Sequence, residues 1–67
     1  MDDKVLNAAV GKFVKTISFN VQREIEKSVR KALATGALKG HETFTAGATL
    51  TSEKLGLNVT IYSKIEL

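Results

Sequence analysis

The chain offers few side chains for acid–base or metal chemistry, and His41 is its only histidine. Placed between Gly40 and Glu42, His41 could act as a general base or a metal ligand. A zinc site needs three or four ligands, chiefly histidine and cysteine, and the chain has no cysteine. The carboxylates also lack the spacing of a calcium loop. We therefore predict no metal site and interpret His41 as a solvated loop residue.

Nucleophilic and acid–base catalysis are equally poorly supported. None of the serines lies in a Gly-x-Ser-x-Gly frame, and only one histidine is present to act as the general base for a serine nucleophile. Glu24 and Glu26 would point about 200° apart on a helix, so they cannot flank one substrate. The segment 36–40 lacks the Gly-Lys-Ser/Thr ending of a phosphate-binding loop. We predict no catalytic residue, no cofactor and a non-enzymatic protein.

Basic residues form the most suggestive pattern. Arg23, Lys27 and Arg30 follow the spacing i, i+4, i+7, which places them on one side of a helix. Lys12 and Lys15 could flank them. The favoured interpretation is a solvated charged face, because the net charge is only +3. The alternative is a nucleic-acid-binding helix-turn-helix with a β-hairpin wing, in which these five residues meet the phosphates and bases.

Two helices must position these residues. The clearer one runs from Asn20 to Gly36, with Asn20 as its N-cap and Gly36 as its C-terminal residue. Its apolar positions share one helical face: Val21, Ile25, Val29, Ala32 and Leu33. A first helix is predicted from Asp2 or Asp3 to about Thr16, with another apolar face: Leu6, Val10, Phe13, Val14 and Ile17. Thr16–Phe19 is then a tight connection, with Phe19 packed near Glu24 or Ile25 as a hydrophobic staple.

After Gly36 the periodicity changes from helical to alternating. From Glu42 to Thr51, apolar residues and threonines alternate, which predicts a strand. The segment Ser52–Gly56 is predicted as a turn. A second strand follows from Leu57 to Ile65 or beyond, with Leu57, Val59, Ile61 and Ile65 on one face.

The predicted fold is α+β, with two amphipathic helices packed on a C-terminal antiparallel β-hairpin in the order ααββ. We expect residues 1–67 to form a single small domain. So short a chain buries little surface alone, and a two-stranded ribbon is marginal. We therefore expect a homodimer formed through the hairpin or the helices, and the hypothesis of another protein partner stays open. No segment has 18 consecutive apolar residues, so we expect no membrane span. The acidic residues Asp2 and Asp3 argue against a signal peptide, so we expect a cytoplasmic protein.

The chain resembles a family of short bacterial proteins known as a domain of unknown function. The resemblance covers most of the chain and rests on several segments: Lys12-Phe13-Val14-Lys15, Gln22-Arg23-Glu24-Ile25-Glu26-Lys27, Ala32-Leu33, 36–40, Thr49-Leu50-Thr51 and Ile65-Glu66-Leu67. Ser18 stands where members often have glycine. The resemblance implies a bacterial, cytosolic protein and no particular activity. The function expected is that of an uncharacterised interaction module that associates with itself.

Overall fold

The computed structural model describes all 67 residues and has one helix and two strands. Helix α1 spans Asp3–Thr35, strand β1 spans Thr43–Ser52, and strand β2 spans Leu57–Glu66. The α+β class and the C-terminal hairpin are thus confirmed. The chain divides into two units, Met1–Ala37 and Leu38–Leu67, which are described separately below. That all residues form a single domain, with the helical part packed on the hairpin, stays a prediction.

Helix α1 begins and ends at the residues that the sequence indicated for the two outer ends. The Asp2 carboxylate accepts a hydrogen bond from the Lys4 backbone N–H at 2.8 Å, which satisfies a first-turn donor. Gly36 adopts φ 83°, and its N–H donates to the Leu33 carbonyl at 3.3 Å. This left-handed conformation suits glycine and closes the helix.

The prediction of two helices is wrong, because α1 continues without a break through Thr16–Phe19. That segment contains neither proline nor glycine, and its β-branched and aromatic residues cost only up to ~0.7 kcal/mol each in a helix. Its polar side chains bond within the helix. The Thr16 hydroxyl donates to the Lys12 carbonyl at 3.0 Å, and the Asn20 amide donates to the Thr16 carbonyl at 3.1 Å. Asn20 is therefore a mid-helix residue and not an N-cap.

The hairpin has the alternation that the sequence predicted. Antiparallel pairing aligns Phe44 with Ile65, Ala48 with Ile61, and Leu50 with Val59, which gives one apolar face. The other face carries the threonines of β1 opposite polar residues of β2. On that face the hydroxyls of Thr49 and Thr60 lie 3.0 Å apart. Most cross-strand pairs thus join like residues, which favours this register over one shifted by a single residue.

Two glycines shape the hairpin. Gly56 adopts φ 61° at the end of the turn, and its N–H donates to the Glu53 carbonyl at 3.2 Å. Gly47 lies opposite Tyr62, and a Cβ there would lie 2.9 Å from two carbon atoms of the Tyr62 ring. The ring therefore covers the strand backbone where Gly47 has no side chain, a device also used to protect glycines in sheets.

Neither unit buries a side chain completely, and sixteen large apolar residues are exposed. In the hairpin, Phe44, Leu50 and Ile65 of the apolar face are half-buried, whereas Ile61 is exposed. Helix α1 lacks an apolar stretch sufficient to cross a lipid bilayer. The surfaces of the two units are therefore where functional features have to be sought.

Candidate interaction surfaces

The longest apolar surface lies on α1. Its members, here called the apolar stripe, are Leu6, Val10, Val14, Ile17, Val21, Ile25 and Ala32. The continuous helix joins most of what the sequence predicted as two separate faces, and Phe13, Val29 and Leu33 of those faces lie outside the stripe. Ile17 and Ala32 are half-buried, and the other five residues of the stripe are 37% to 53% exposed. Phe13, 58% exposed, borders the stripe. Exposed apolar side chains that form a continuous patch are typical of protein–protein interfaces.

The spacing within the apolar stripe repeats every 11 residues. Leu6, Val10 and Val14 are followed 11 residues later by Ile17, Val21 and Ile25. The third round is weaker, with Ser28 in the first position and Ala32 in the second. Eleven residues in three turns give about 3.67 residues per turn, close to the 3.6 of a straight helix. The stripe therefore stays on nearly one side of α1 along its length.

All five basic residues predicted as nucleic-acid-binding candidates lie on α1 and are exposed. They are called the basic strip: Lys12, Lys15, Arg23, Lys27 and Arg30. At 100° per residue, Lys12, Arg23 and Arg30 lie within about 20° of one another around the helix axis. The strip lies roughly opposite the apolar stripe. A single helix thus brings together residues that the sequence assigned to two helices.

The helix-turn-helix hypothesis is wrong in its architecture, because that motif needs a turn between two helices and α1 has none. Whether the basic strip binds an anionic partner stays a prediction. Glu26 lies beside the strip, and its carboxylate accepts a hydrogen bond from the Gln22 side-chain amide at 3.0 Å.

The sequence interpretation missed the position of Phe19. Its ring is 69% exposed in the middle of α1 and does not form the predicted staple, which requires a helix start at Asn20. At 100° per residue, Phe19 lies about 160° to 180° from Val10, Ile17 and Val21. It is therefore an apolar ring on the basic side of the helix. The signal was present in the sequence, but it becomes readable only once the helix is continuous.

The connector between α1 and β1 contains a local anion-binding arrangement that its own chain fills. Backbone N–H groups of Lys39, Gly40 and His41 donate to the Glu42 carboxylate at 2.8 to 3.1 Å. These bonds, that from Lys39 foremost, lower the pKa of Glu42 below its ordinary value. His41 is exposed. Here the carboxylate organises the backbone, and the imidazole has no such role.

No group of three or more His, Cys, Asp and Glu residues is arranged to hold a metal ion. The surfaces described above are thus the features on which a function can be argued. Comparison with protein families shows one match, a Family of unknown function (DUF6494), which covers residues 1–67. The chain belongs to this family, as the resemblance predicted. Comparisons with curated proteins and with solved structures gave no match.

Proposed function

We propose that this member of a family of unknown function is a non-enzymatic module that associates with itself through the apolar stripe of α1. The observation that carries the proposal is the exposure of that stripe along a helix of 33 residues, about 50 Å at 1.5 Å per residue. An amphipathic helix gains most of its stability by packing its apolar side against a partner. A second copy of α1 offers a partner of the same length and pattern.

The 11-residue repeat supports a helix-to-helix contact. Two helices that share this repeat can keep their apolar positions facing each other with only a slight right-handed supercoil. The contact would extend from Leu6 to Ala32, about 39 Å at 1.5 Å per residue. Most residues along it are β-branched, with short side chains that allow close packing. Ser28 is the one polar position of the repeat and lies near the end of the contact, whereas Asn7 and Glu24 lie at the edges of the stripe.

The charges at the two ends of α1 favour an antiparallel pair. Arg30 and Lys31 lie near the C-terminal end, whereas at the N-terminal end Lys4 and the Met1 ammonium offset Asp2 and Asp3. Parallel packing would place the two basic ends together and align the two helix dipoles unfavourably. Antiparallel packing avoids both, which supports a second copy in this orientation as the partner.

The non-enzymatic part of the proposal is supported by the scarcity of reactive groups. The single histidine is exposed, and no cysteine is present. The proposal also includes a cytoplasmic location, which imaging of the tagged full chain tests. A shift in melting temperature with a small metabolite would count against a purely non-enzymatic role.

The experiment compares two neighbouring substitutions, Ile17→Asp in the apolar stripe and Thr16→Asp outside it. Both introduce one negative charge at nearly the same height along α1, and circular dichroism checks that each variant keeps its helix. Light scattering at micromolar to millimolar concentration should give twice 7.3 kDa for the wild type and for Thr16→Asp. Ile17→Asp should give a single chain, because a buried unpaired carboxylate is costly.

A mass of one chain for the wild type over this range would refute the proposal. A dimer that survives Ile17→Asp would move the contact away from the apolar stripe, with the open edges of the hairpin as the next candidate. Because the control carries the same charge, an effect of net charge alone would appear in both variants.

A further inference from the structure

Phe19 is an isolated apolar ring in a basic neighbourhood. The side of α1 within about 60° of Phe19, between Lys12 and Arg30, is called the Phe19 sector. Phe19, 69% exposed, is the one large apolar residue within these bounds, and Val5 and Leu33 lie on the same side beyond its two ends. It lies opposite the apolar stripe, so the proposed dimer would leave it in solvent. An aromatic ring this exposed is suited to a ligand with a flat face.

The basic residues of the sector surround Phe19 at helical spacing. Lys15 lies four residues before Phe19 and Arg23 four residues after it, which places both beside the ring. Lys12 and Arg30 extend the sector in the two directions. The 19 residues from Lys12 to Arg30 span about 27 Å along the helix axis. The sector thus offers positive charge on both sides of one aromatic platform.

One acidic residue, Glu26, lies in the sector. Its carboxylate is engaged by the Gln22 amide at 3.0 Å. The other acids of the helix, Asp3 and Glu24, lie about 140° or more from Phe19 around the axis. The sector therefore has four basic side chains and one acidic side chain, a stronger bias than the chain as a whole. Glu26 also supplies a test, because its removal should strengthen binding of an anion.

We propose that the Phe19 sector binds single-stranded nucleic acid, with phosphates at the basic side chains and one base stacked on Phe19. Proteins that hold single strands combine a positive track with aromatic rings on which bases stack. A duplex hides the faces of its bases and would leave Phe19 without a contact. An anionic membrane would take up the apolar stripe on the opposite side of α1, which would leave Phe19 facing away from the lipid. The proposal does not depend on the dimer, because the sector is exposed on each chain.

The test measures binding of a fluorescent oligouridine to the full chain by anisotropy at low salt. Binding should weaken steeply with added salt, with a slope of about −3 for four phosphate contacts on a single strand. Phe19→Ala should weaken binding roughly tenfold, the size expected for loss of one stacked base. The matched control is Leu55→Ala, which removes another exposed apolar side chain, in the hairpin turn, and should leave affinity unchanged.

Charge substitutions test the basic part of the sector. Arg23→Gln should weaken binding and reduce the salt slope by about one contact. Lys31→Gln removes the same charge about 120° from Phe19 around the axis and should have a clearly smaller effect. Glu26→Gln should strengthen binding. Ile17→Asp, outside the sector, should keep binding even as a single chain, which separates this proposal from that of self-association.

Four results would overturn the proposal. They are absence of oligouridine binding at low salt, equal or tighter binding of a duplex of the same length, an unchanged affinity in Phe19→Ala, and binding to phosphatidylserine vesicles without binding to oligouridine. Circular dichroism of every variant ensures that a loss of affinity is not a loss of the helix.

Discussion

At the residue scale, Glu42 is the side chain whose local role is best defined. Its carboxylate accepts hydrogen bonds from three successive backbone N–H groups, which lower its pKa below the ordinary value of 4.5. A lowered pKa in the folded state means that these bonds stabilise the connector above pH 4.5. Their contribution is lost as the pH falls through the lower, folded-state value.

We predict that the amide signals of Lys39 and Gly40 in NMR spectra titrate with a midpoint below pH 4.5. In Glu42→Gln this titration should disappear, because an amide does not ionise in this range. The same variant should also loosen the connector at neutral pH, measured as faster exchange of the two amide hydrogens. A midpoint at or above 4.5, or a titration that persists in Glu42→Gln, would contradict the assigned role.

The sequence allowed some residue roles to be predicted and concealed others for physical reasons. Asp2 and Gly36 were predictable, because a capping carboxylate and a left-handed glycine act on the adjacent backbone. The role of Glu42 was missed, because it depends on a turn conformation that no short motif encodes. Phe19 was misassigned as a consequence of the error in helix boundaries. The exposure of His41 agrees with the solvated loop residue predicted from the sequence.

At the element scale, the hairpin was predictable and the continuity of α1 was not recognised. Alternation over two segments of ten residues excludes a register shifted by one residue, and the short turn between the strands selects the observed register among those that remain. In the helix, the β-branched and aromatic residues of 16–19 were given too much weight against the lack of a real helix breaker. The steps from Ile17 to Val21 and from Val21 to Ile25 already carried the helical spacing across that segment.

A prediction at this scale concerns Gly11, which lies within α1. A Cβ at this position meets no atom within 4 Å, and glycine in a helix costs about 1 kcal/mol relative to alanine. Gly11→Ala should therefore raise the free energy of unfolding by about that amount, measured by urea denaturation monitored at helical wavelengths. Gly56→Ala is the contrasting variant and should destabilise the hairpin, measured as faster exchange of its amide hydrogens, because its φ of 61° strains any side-chain-bearing residue.

A decrease in stability for Gly11→Ala would show that another backbone approaches this position in solution. Such a result would indicate that a second helix packs against α1 at Gly11, with a shorter distance between the two helix axes than packing through the apolar stripe requires. No change in either glycine variant would contradict the helical and turn geometries described for these positions.

At the scale of the whole molecule, the exposed apolar surface has to be reconciled with the small size of the chain. A chain of 67 residues gains limited stability from its own burial, and no disulfide can supplement it here. Both the apolar stripe and the apolar face of the hairpin leave large side chains accessible. Association between copies would supply the missing burial and thereby couple folding to chain concentration.

The last prediction follows from this coupling. If two copies fold and associate in one step, a tenfold increase in concentration should stabilise the folded state by about 1.4 kcal/mol per dimer. The melting temperature of the wild type and of Thr16→Asp should therefore rise with concentration. That of Ile17→Asp should be lower and independent of concentration. The chain concentration is diluted hundredfold, from roughly 100 times the Kd of the dimer down to that Kd. A wild-type melting temperature that stays constant over this range would exclude association as the source of stability.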